Sequence, residues 1–66
     1  MRISRVKLIA EMAKQYLTNT DLAKLSNVSR PTISAVRAGK SCSVQTGEAI
    51  AKALHVELDE LKEEWN

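Results

Sequence analysis

Residues 18–39, TNTDLAKLSNVSRPTISAVRAG, decide the fold of this chain, because they predict two short helices joined by a three-residue turn. Thr18 is placed to cap the first helix, and Asp21, three residues later, completes a shortened capping box. The apolar residues that follow recur at helical spacing. We therefore expect the first of these two helices over about residues 19–26.

The second half of the stretch carries its own start and stop signals. Ser29 is placed to cap a helix, and Pro31 fits its first turn, where a missing N–H costs nothing. Gly39 suits the left-handed residue that ends many helices. These signals predict the second helix over about Arg30–Ala38.

The spacing within the stretch also predicts how the two helices pack. Ala23 lies where two steeply crossing helices come closest, and only a small side chain fits there. Asn27 begins the turn, which needs a left-handed backbone that asparagine tolerates second to glycine, and Val28 fills the corner. Ile33 and Val36, three residues apart, turn one side of the second helix inward. The opposite side faces outward, as in a helix-turn-helix motif that holds one helix out for the DNA major groove.

Helical spacing elsewhere predicts three more helices, over about residues 4–16, 44–54 and 58–64. Because the connections are short and nothing resembles a strand, we expect an all-α, compact five-helix bundle, a single domain over residues 1–66. Ser4 and Ser43 are expected to be helix caps. The apolar positions expected to face the core from these helices are Val6, Ile9, Ala10, Ala13 and Leu17, then Ala49, Ile50, Ala53 and Leu54, and then Leu58 and Leu61.

A few residues of the outer helices carry more particular expectations. Ile3 and Leu8 are spaced as a hydrophobic staple around the cap of the first helix. Gly47 costs roughly 1 kcal/mol relative to alanine inside a helix, which the close approach of another helix would explain. His55 is expected to cap the end of the fourth helix. Trp65 is expected either to close the core against the first helix or to lie in a dimer interface.

Charge is distributed unevenly along the chain. Residues 1–41 hold eight Lys or Arg against two Asp or Glu, a balance of +6, whereas residues 42–66 hold two against six, a balance of −4. The basic part contains the predicted motif. A basic face that approaches phosphates is typical of a nucleic-acid binder, and an acidic far side helps to orient the approach. An unevenly charged solvated surface is the alternative interpretation.

The composition excludes several other classes of protein. Cys42 is the single cysteine and His55 the single histidine, so we expect no disulfide, no metal site and no cofactor. Lys40 near Cys42 would favour a reactive thiolate beside DNA, but an inert small side chain is the favoured interpretation. The sequence shows no nucleophile–base set and no glycine-rich phosphate loop, so we expect no enzyme. No apolar run approaches the roughly 20 residues of a membrane span, and we expect no leader peptide.

The chain resembles the helix-turn-helix domains of the lambda-type repressor and Cro family, also called the XRE family. The resemblance is carried by LTNTDLAKLSNVSRPTISAVRAGKS (residues 17–41) and SVQTGEAIAKALHVELDEL (residues 43–61). It implies a five-helix fold in which helices two and three form the motif. Three positions depart from the family pattern: Asn27 replaces the common Gly, Asn19 the usual Gln and Arg37 the common Glu.

The resemblance also implies which residues touch double-stranded DNA. Arg30 is the strongest expected base reader, because arginine gives two parallel hydrogen bonds to guanine; its alternatives are a phosphate contact or a solvated side chain. Arg37 is expected to contact phosphate or to form a salt bridge. The full set of expected base contacts is Arg30, Pro31, Thr32, Ser34 and Ala35. The full set of expected phosphate contacts is Thr18, Asn19, Ser29, Arg37, Lys40, Ser41 and Ser43.

The sequence therefore predicts a cytoplasmic, nucleoid-associated transcription regulator of prokaryotic or phage type, with a repressor as the expected mode. The short chain leads us to expect no ligand-sensing domain and no small-molecule ligand. We expect a weak homodimer, or pairing of two copies on DNA. The alternative is an antitoxin-like or mobile-element accessory protein that uses the same fold mainly for protein–protein interaction, with the acidic fifth helix as its partner surface.

Overall fold

The computed structural model describes residues 1–63 of the chain as five α-helices in one bundle, with no strand in that part beyond an isolated antiparallel bridge between Ile3 and Lys62. The predicted all-α, five-helix fold is confirmed. The helix bounds differ from those predicted by at most two residues, except at the fifth helix. The five helices are α1 (Arg5–Lys14), α2 (Asn19–Ser26), α3 (Arg30–Arg37), α4 (Val44–Ala53) and α5 (Leu58–Leu61).

The fifth helix ends earlier than its apolar spacing predicts. Lys62 has extended backbone angles, φ −66° and ψ 150°, and forms the antiparallel bridge to Ile3. The backbone N–H of Ser4 donates to the Leu61 carbonyl at 2.7 Å on the same side. Pairing with the amino-terminal segment therefore replaces the last helical turn. Residues 64–66, which include Trp65, lie outside the described residues.

Four of the five helices begin at a hydroxyl cap, as predicted. The side chains of Ser4, Thr18, Ser29 and Ser43 each accept a hydrogen bond from the backbone N–H three residues ahead. The donor–acceptor distances lie between 3.1 Å at Thr18 and 3.4 Å at Ser29. Each cap satisfies one of the N–H groups that a helix end leaves without an intrahelical partner.

The first four helices all end on a residue with positive φ, and only one of these residues is glycine. Tyr16, Asn27 and His55 have φ of 56°, 59° and 61°, and Gly39 has φ of 100°. At Tyr16, Gly39 and His55 the helix closes with a Schellman motif, in which the backbone N–H of the following residue donates to a carbonyl of the last helical turn. The predicted terminal roles of Asn27, Gly39 and His55 are borne out.

The core is small and is shared by all five helices. Leu22 of α2 packs with Ile33 and Val36 of α3, and all three are at most 1% exposed. The two helices of the motif therefore hold each other through an apolar contact, as predicted. The other buried apolar side chains are Ile3, Leu8, Met12, Ile50, Ala51, Leu54 and Leu61. Leu17, Val56 and Leu58 pack against this cluster from its edge.

The predicted inward face of α1 is correct only in part, since Leu17 packs against the core and Ile9 is half-buried but the other three positions face solvent. Val6 is 78% exposed, and Ala10 and Ala13 are exposed as well, whereas Leu8 and Met12 are buried. Both sets of positions satisfy helical spacing, but leucine and methionine remove more apolar surface from water than two alanines do. The larger side chains therefore decide which face turns inward. Burial of Ile3 together with Leu8 agrees with the predicted staple.

A smaller correction applies to α4, and α2 leaves one leucine exposed. Leu25, at an apolar position of α2, is 60% exposed. In α4 the predicted core alanines, Ala49 and Ala53, are half-buried, and Gly47 and Ala51 are buried instead. The inward face of α4 is thus rotated towards Gly47, which is the position with no side chain.

Gly47 is explained by a close approach, as predicted. A Cβ at this position would lie 2.8 Å from the Met1 sulfur and 3.3 Å from Leu58 Cδ1 of α5. Both contacts are tighter than ordinary van der Waals distances. The missing side chain lets the amino terminus and α5 pack directly on the backbone of α4.

Replacing His55 by glycine should raise the free energy of unfolding by about 0.5–1 kcal/mol. The left-handed conformation costs an ordinary residue roughly 1–2 kcal/mol, and glycine returns about 0.5–1 kcal/mol of this as extra chain entropy. Urea unfolding followed by circular dichroism measures the difference. His55→Val should destabilise the fold, and Lys52→Gly, inside α4, should cost about 1 kcal/mol. A loss of stability in His55→Gly would contradict the strain argument.

Candidate nucleic-acid interface

Helix α3 has one buried and one exposed side. Ile33 and Val36 face the core, while Arg30, Pro31 and Ser34 are exposed. Of the other predicted base contacts, Thr32 and Ala35 are half-buried and flank this exposed face. The buried pair fixes the rotation of α3 about its own axis. The side chains on its outer face are therefore held on a rigid element.

Three residues that were predicted to contact phosphate, Thr18, Ser29 and Ser43, use their hydroxyl groups to cap helices. The hydroxyl of Ser29 donates to Thr32 Oγ1 at 2.8 Å and accepts from the Thr32 N–H. Ser43 forms the same ring with Thr46, at 3.0 and 3.1 Å. Thr18 accepts the Asp21 N–H. All three hydroxyls are exposed but already bonded, so the donors that they position are the backbone N–H groups of the helix ends.

The start of α2 is a reciprocal capping box. Asp21 Oδ2 accepts the backbone N–H of Thr18 at 3.0 Å, while the Thr18 hydroxyl accepts the N–H of Asp21. The backbone N–H of Thr18, and to a smaller extent its hydroxyl group, stabilise the charged carboxylate and lower the pKa of Asp21 below its ordinary value of 3.8. The backbone N–H groups of Asn19 and Thr20 lie in the first helical turn, so neither has an intrahelical carbonyl partner.

The side chains of Arg37, Asn19 and Ser34 link the two helices of the motif. Arg37 Nη1 donates to Asn19 Oδ1 at 2.8 Å, and Asn19 Nδ2 donates to Ser34 Oγ at 3.3 Å. The salt bridge considered for Arg37 is therefore wrong, because its partner is a neutral amide. Near the other end of α3, Arg30 Nη1 lies 3.5 Å from Thr20 Oγ1 of α2.

Arg5 is a residue of this region that the sequence did not indicate. Its Nε donates to the carbonyl of Arg37 at 3.3 Å, at the end of α3. Its Cδ lies only 2.9 Å from where a Cβ of residue 39 would stand, so Gly39 makes room for it. A cation suits a helix carboxyl terminus. The two residues lie 32 positions apart in the sequence, so no local sequence pattern predicts this contact.

The loop between α3 and α4 presents two of the predicted phosphate contacts and encloses the cysteine. Lys40 and Ser41 are exposed. Cys42 is partly buried, and its backbone pairs with Met1 through two hydrogen bonds of 2.8 Å. Burial raises the pKa of the Cys42 thiol, and the positive amino terminus only partly opposes this effect. The reactive-thiolate alternative is therefore not supported, because it needs a lowered pKa.

The cations of this surface are available to a partner. Arg5, Arg30, Arg37 and Lys40 form no salt bridge within residues 1–63; the ion pairs seen there include Lys14 with Glu11 and Lys62 with Asp59, each within one helical turn. The same described residues hold no group of three or more His, Cys, Asp or Glu side chains that could bind a metal ion. None of their helices is long and apolar enough to cross a membrane.

Comparison with known families agrees with this geometry. A helix-turn-helix family model matches residues 6–61, so the chain belongs to that family, the one of the lambda repressor and Cro-like domains. The family is one of DNA-binding transcription regulators and is not typically enzymatic. No curated protein and no solved structure matches the chain.

The capping carboxylate makes stability depend on pH. Because the pKa of Asp21 is lower in the folded chain than in the unfolded one, its stabilising effect is complete above the ordinary value of 3.8 and is lost as the pH falls through the folded value. We expect Asp21→Asn to flatten the fall in stability between about pH 5 and pH 2. Thermal unfolding across this range measures the slope.

A second variant separates the two hydrogen bonds of the box. Thr18→Val removes the hydroxyl but leaves the backbone N–H that the carboxylate accepts, so it should keep part of the pH dependence. Equal slopes in wild type and Asp21→Asn would show that the carboxylate does not cap α2.

Proposed function

We propose that this protein is a sequence-specific, double-stranded DNA-binding transcription regulator that places α3 in the major groove. The observation that carries the proposal is the exposed side of α3, which is held rigidly by buried Ile33 and Val36. It is rimmed by cations that form no salt bridge with any acidic side chain of residues 1–63. Membership of the helix-turn-helix family supports the same conclusion at the level of class.

Base reading is proposed for the outer side of α3. Arg30, exposed at its amino-terminal end, presents a fork of donors that matches O6 and N7 of guanine. Pro31 and Ala35 have no side-chain donors and are suited to apolar contact with a thymine methyl. Thr32 and Ser34 offer hydroxyls. Arg30 is thus the one charged reader of the set.

Phosphate contacts are proposed on both sides of that groove. At one side lie Asn19 and the amino-terminal ends of α2 and α3, capped by Thr18 and Ser29, where backbone N–H groups meet an anion favourably. At the other side lie Lys40 and Ser41, followed by the α4 cap at Ser43 and joined by Arg5. Arg37 lies between them. Such contacts supply most of the affinity but no sequence information.

We propose repression as the mode of regulation, since a bundle seated in the groove of a promoter excludes other proteins from it. With one charged base reader per copy, two copies are proposed to pair on half-sites about one helical turn apart, roughly 34–36 Å. The proposed setting is the cytoplasm and nucleoid of a prokaryote, or a phage within it. No catalytic activity is proposed.

A protein–protein role is the second candidate, and one observation favours it. The segment around α5 exposes the acidic side chains of Glu57, Asp59, Glu60 and Glu63. They lie on a part of the chain that takes no part in the α2–α3 motif. If this chain is an antitoxin-like or mobile-element accessory protein, a partner protein with a basic surface would complement these acidic side chains.

Selection of bound duplexes from a random pool separates the two functions. An enriched sequence motif, bound more weakly as salt rises, supports DNA reading. Binding without enrichment, together with a stoichiometric protein partner that is lost when Glu57 and Glu60 are replaced by Gln, would favour the second candidate.

Arg30→Ala and Lys40→Ala should weaken DNA binding in different ways. Arg30→Ala should cost roughly 1–3 kcal/mol on the selected site and relax the preference at one base pair. Lys40→Ala should weaken binding to all sequences about equally and reduce the slope of log K against log salt by about 1. Fluorescence anisotropy over a salt series measures both effects. An equal loss on every sequence for Arg30→Ala would show that it contacts only phosphate.

A further inference from the structure

Two side-chain hydrogen bonds connect Arg37 to Asn19 and Asn19 to Ser34, and this hydrogen-bonded series ends on the exposed face of α3. Arg37 and Asn19 are half-buried between the two helices, and Ser34 is exposed. The two hydrogen bonds, 2.8 Å and 3.3 Å long, run in one direction, from the guanidinium to the amide and from the amide to the hydroxyl. This direction decides what Ser34 offers to a partner.

The chemistry of arginine fixes the donor-to-acceptor direction of these two hydrogen bonds. A guanidinium carries only donors, so the atom of Asn19 that faces Arg37 must be the oxygen Oδ1. The amide nitrogen then faces Ser34, whose hydroxyl oxygen accepts. A rotated amide would place two donors against each other and lose the shorter bond. Arg37 thereby sets the orientation of a group that it does not itself touch.

The hydroxyl hydrogen of Ser34 is left free. A serine inside a helix often donates to the carbonyl four residues back, as Ser26 does to Leu22 at 2.7 Å. Ser34 makes no such bond within residues 1–63. Asn19 engages one lone pair of this hydroxyl, which keeps its hydrogen and a second lone pair. The two hydrogen bonds behind it polarise the O–H group, so donating to a partner is favoured over accepting from one.

We propose that Arg37 and Asn19 bias the Ser34 hydroxyl towards donating a hydrogen bond in the major groove, so that it prefers a base presenting an acceptor. Serine ordinarily contacts any base, because its hydroxyl can donate or accept. A hydroxyl biased towards donating favours guanine O6 or N7, adenine N7 or thymine O4, and disfavours cytosine, which shows only its amino donor there. The inference rests on the proposed function; Ser34 is the contact residue, and Arg37 and Asn19 are positioning residues.

Reversing the direction of the hydrogen bond between residue 19 and Ser34 tests the inference. In Asn19→Asp, the carboxylate has only acceptors, so one oxygen keeps Arg37 and the other takes the Ser34 hydrogen. Ser34 then presents lone pairs to the groove. The added charge weakens binding to every sequence, so the readout is relative base preference, obtained by selection from a random duplex pool.

Ser34→Ala first identifies the base position that Ser34 reads, as the one position where preference is lost. There, wild type should disfavour cytosine roughly two- to tenfold, the range for one hydrogen bond. Asn19→Asp should remove or reverse this discrimination, and Arg37→Met, which frees the amide to rotate, should reduce it. Ser26→Ala, the same deletion at a serine bonded to its own helix, should leave every preference unchanged.

Three results would overturn the inference. Ser34→Ala could leave all preferences intact, which would place Ser34 on phosphate or on nothing. Asn19→Asp and Arg37→Met could both keep the wild-type discrimination. In the DNA-free protein, nuclear Overhauser contacts could place the Asn19 amide protons beside Arg37 rather than Ser34. Failure of the proposed function differs from these, because wild type would then select no motif at all, and the inference would fall with it.

Discussion

The left-handed turn at Asn27 is the constraint on which the arrangement of this domain depends. Its backbone, at φ 59° and ψ 29°, reverses the chain so that the N–H of Val28 returns to the Ala23 carbonyl at 3.2 Å. Only this reversal brings Ile33 of α3 against Leu22 of α2, and both are fully buried. The same contact turns the other side of α3 outward. The proposed recognition surface therefore follows from the way in which one turn buries the core.

The sharp helix ends are a requirement of size. A chain of 66 residues buries only about 60% of the surface that it exposes when unfolded. Its small apolar core stabilises short connections more readily than long ones. Left-handed closing residues let each helix stop and the next begin within a few residues. Tyr16 and His55 adopt this conformation despite their side chains. Their strain is offset by the packing that the short connections permit.

The sequence predicted the helix ends and the apolar packing of the motif, but it missed the polar contacts between distant residues. The caps and the end at Gly39 are contacts within a few residues, so their signals are local. The inward face of α1 was partly mistaken because two apolar stripes share one period, and only side-chain volume separates Leu8 from Val6. The links from Arg37 to Asn19, and from Arg5 to the end of α3, join residues 18 and 32 apart. No spacing rule reaches that far.

The residues that cap the helices and those proposed to read DNA are drawn from the same few polar side chains. The hydroxyls of Thr18, Ser29 and Ser43 are committed to caps, so they anchor the frame rather than select a base. In the proposed complex, base reading then falls largely to Arg30 and to Ser34, whose hydroxyl is oriented by neighbouring side chains. A surface with so few base-reading residues would discriminate modestly by itself. The proposed pairing of two copies on one duplex would multiply that discrimination, because each copy contributes its own free-energy difference between right and wrong sites.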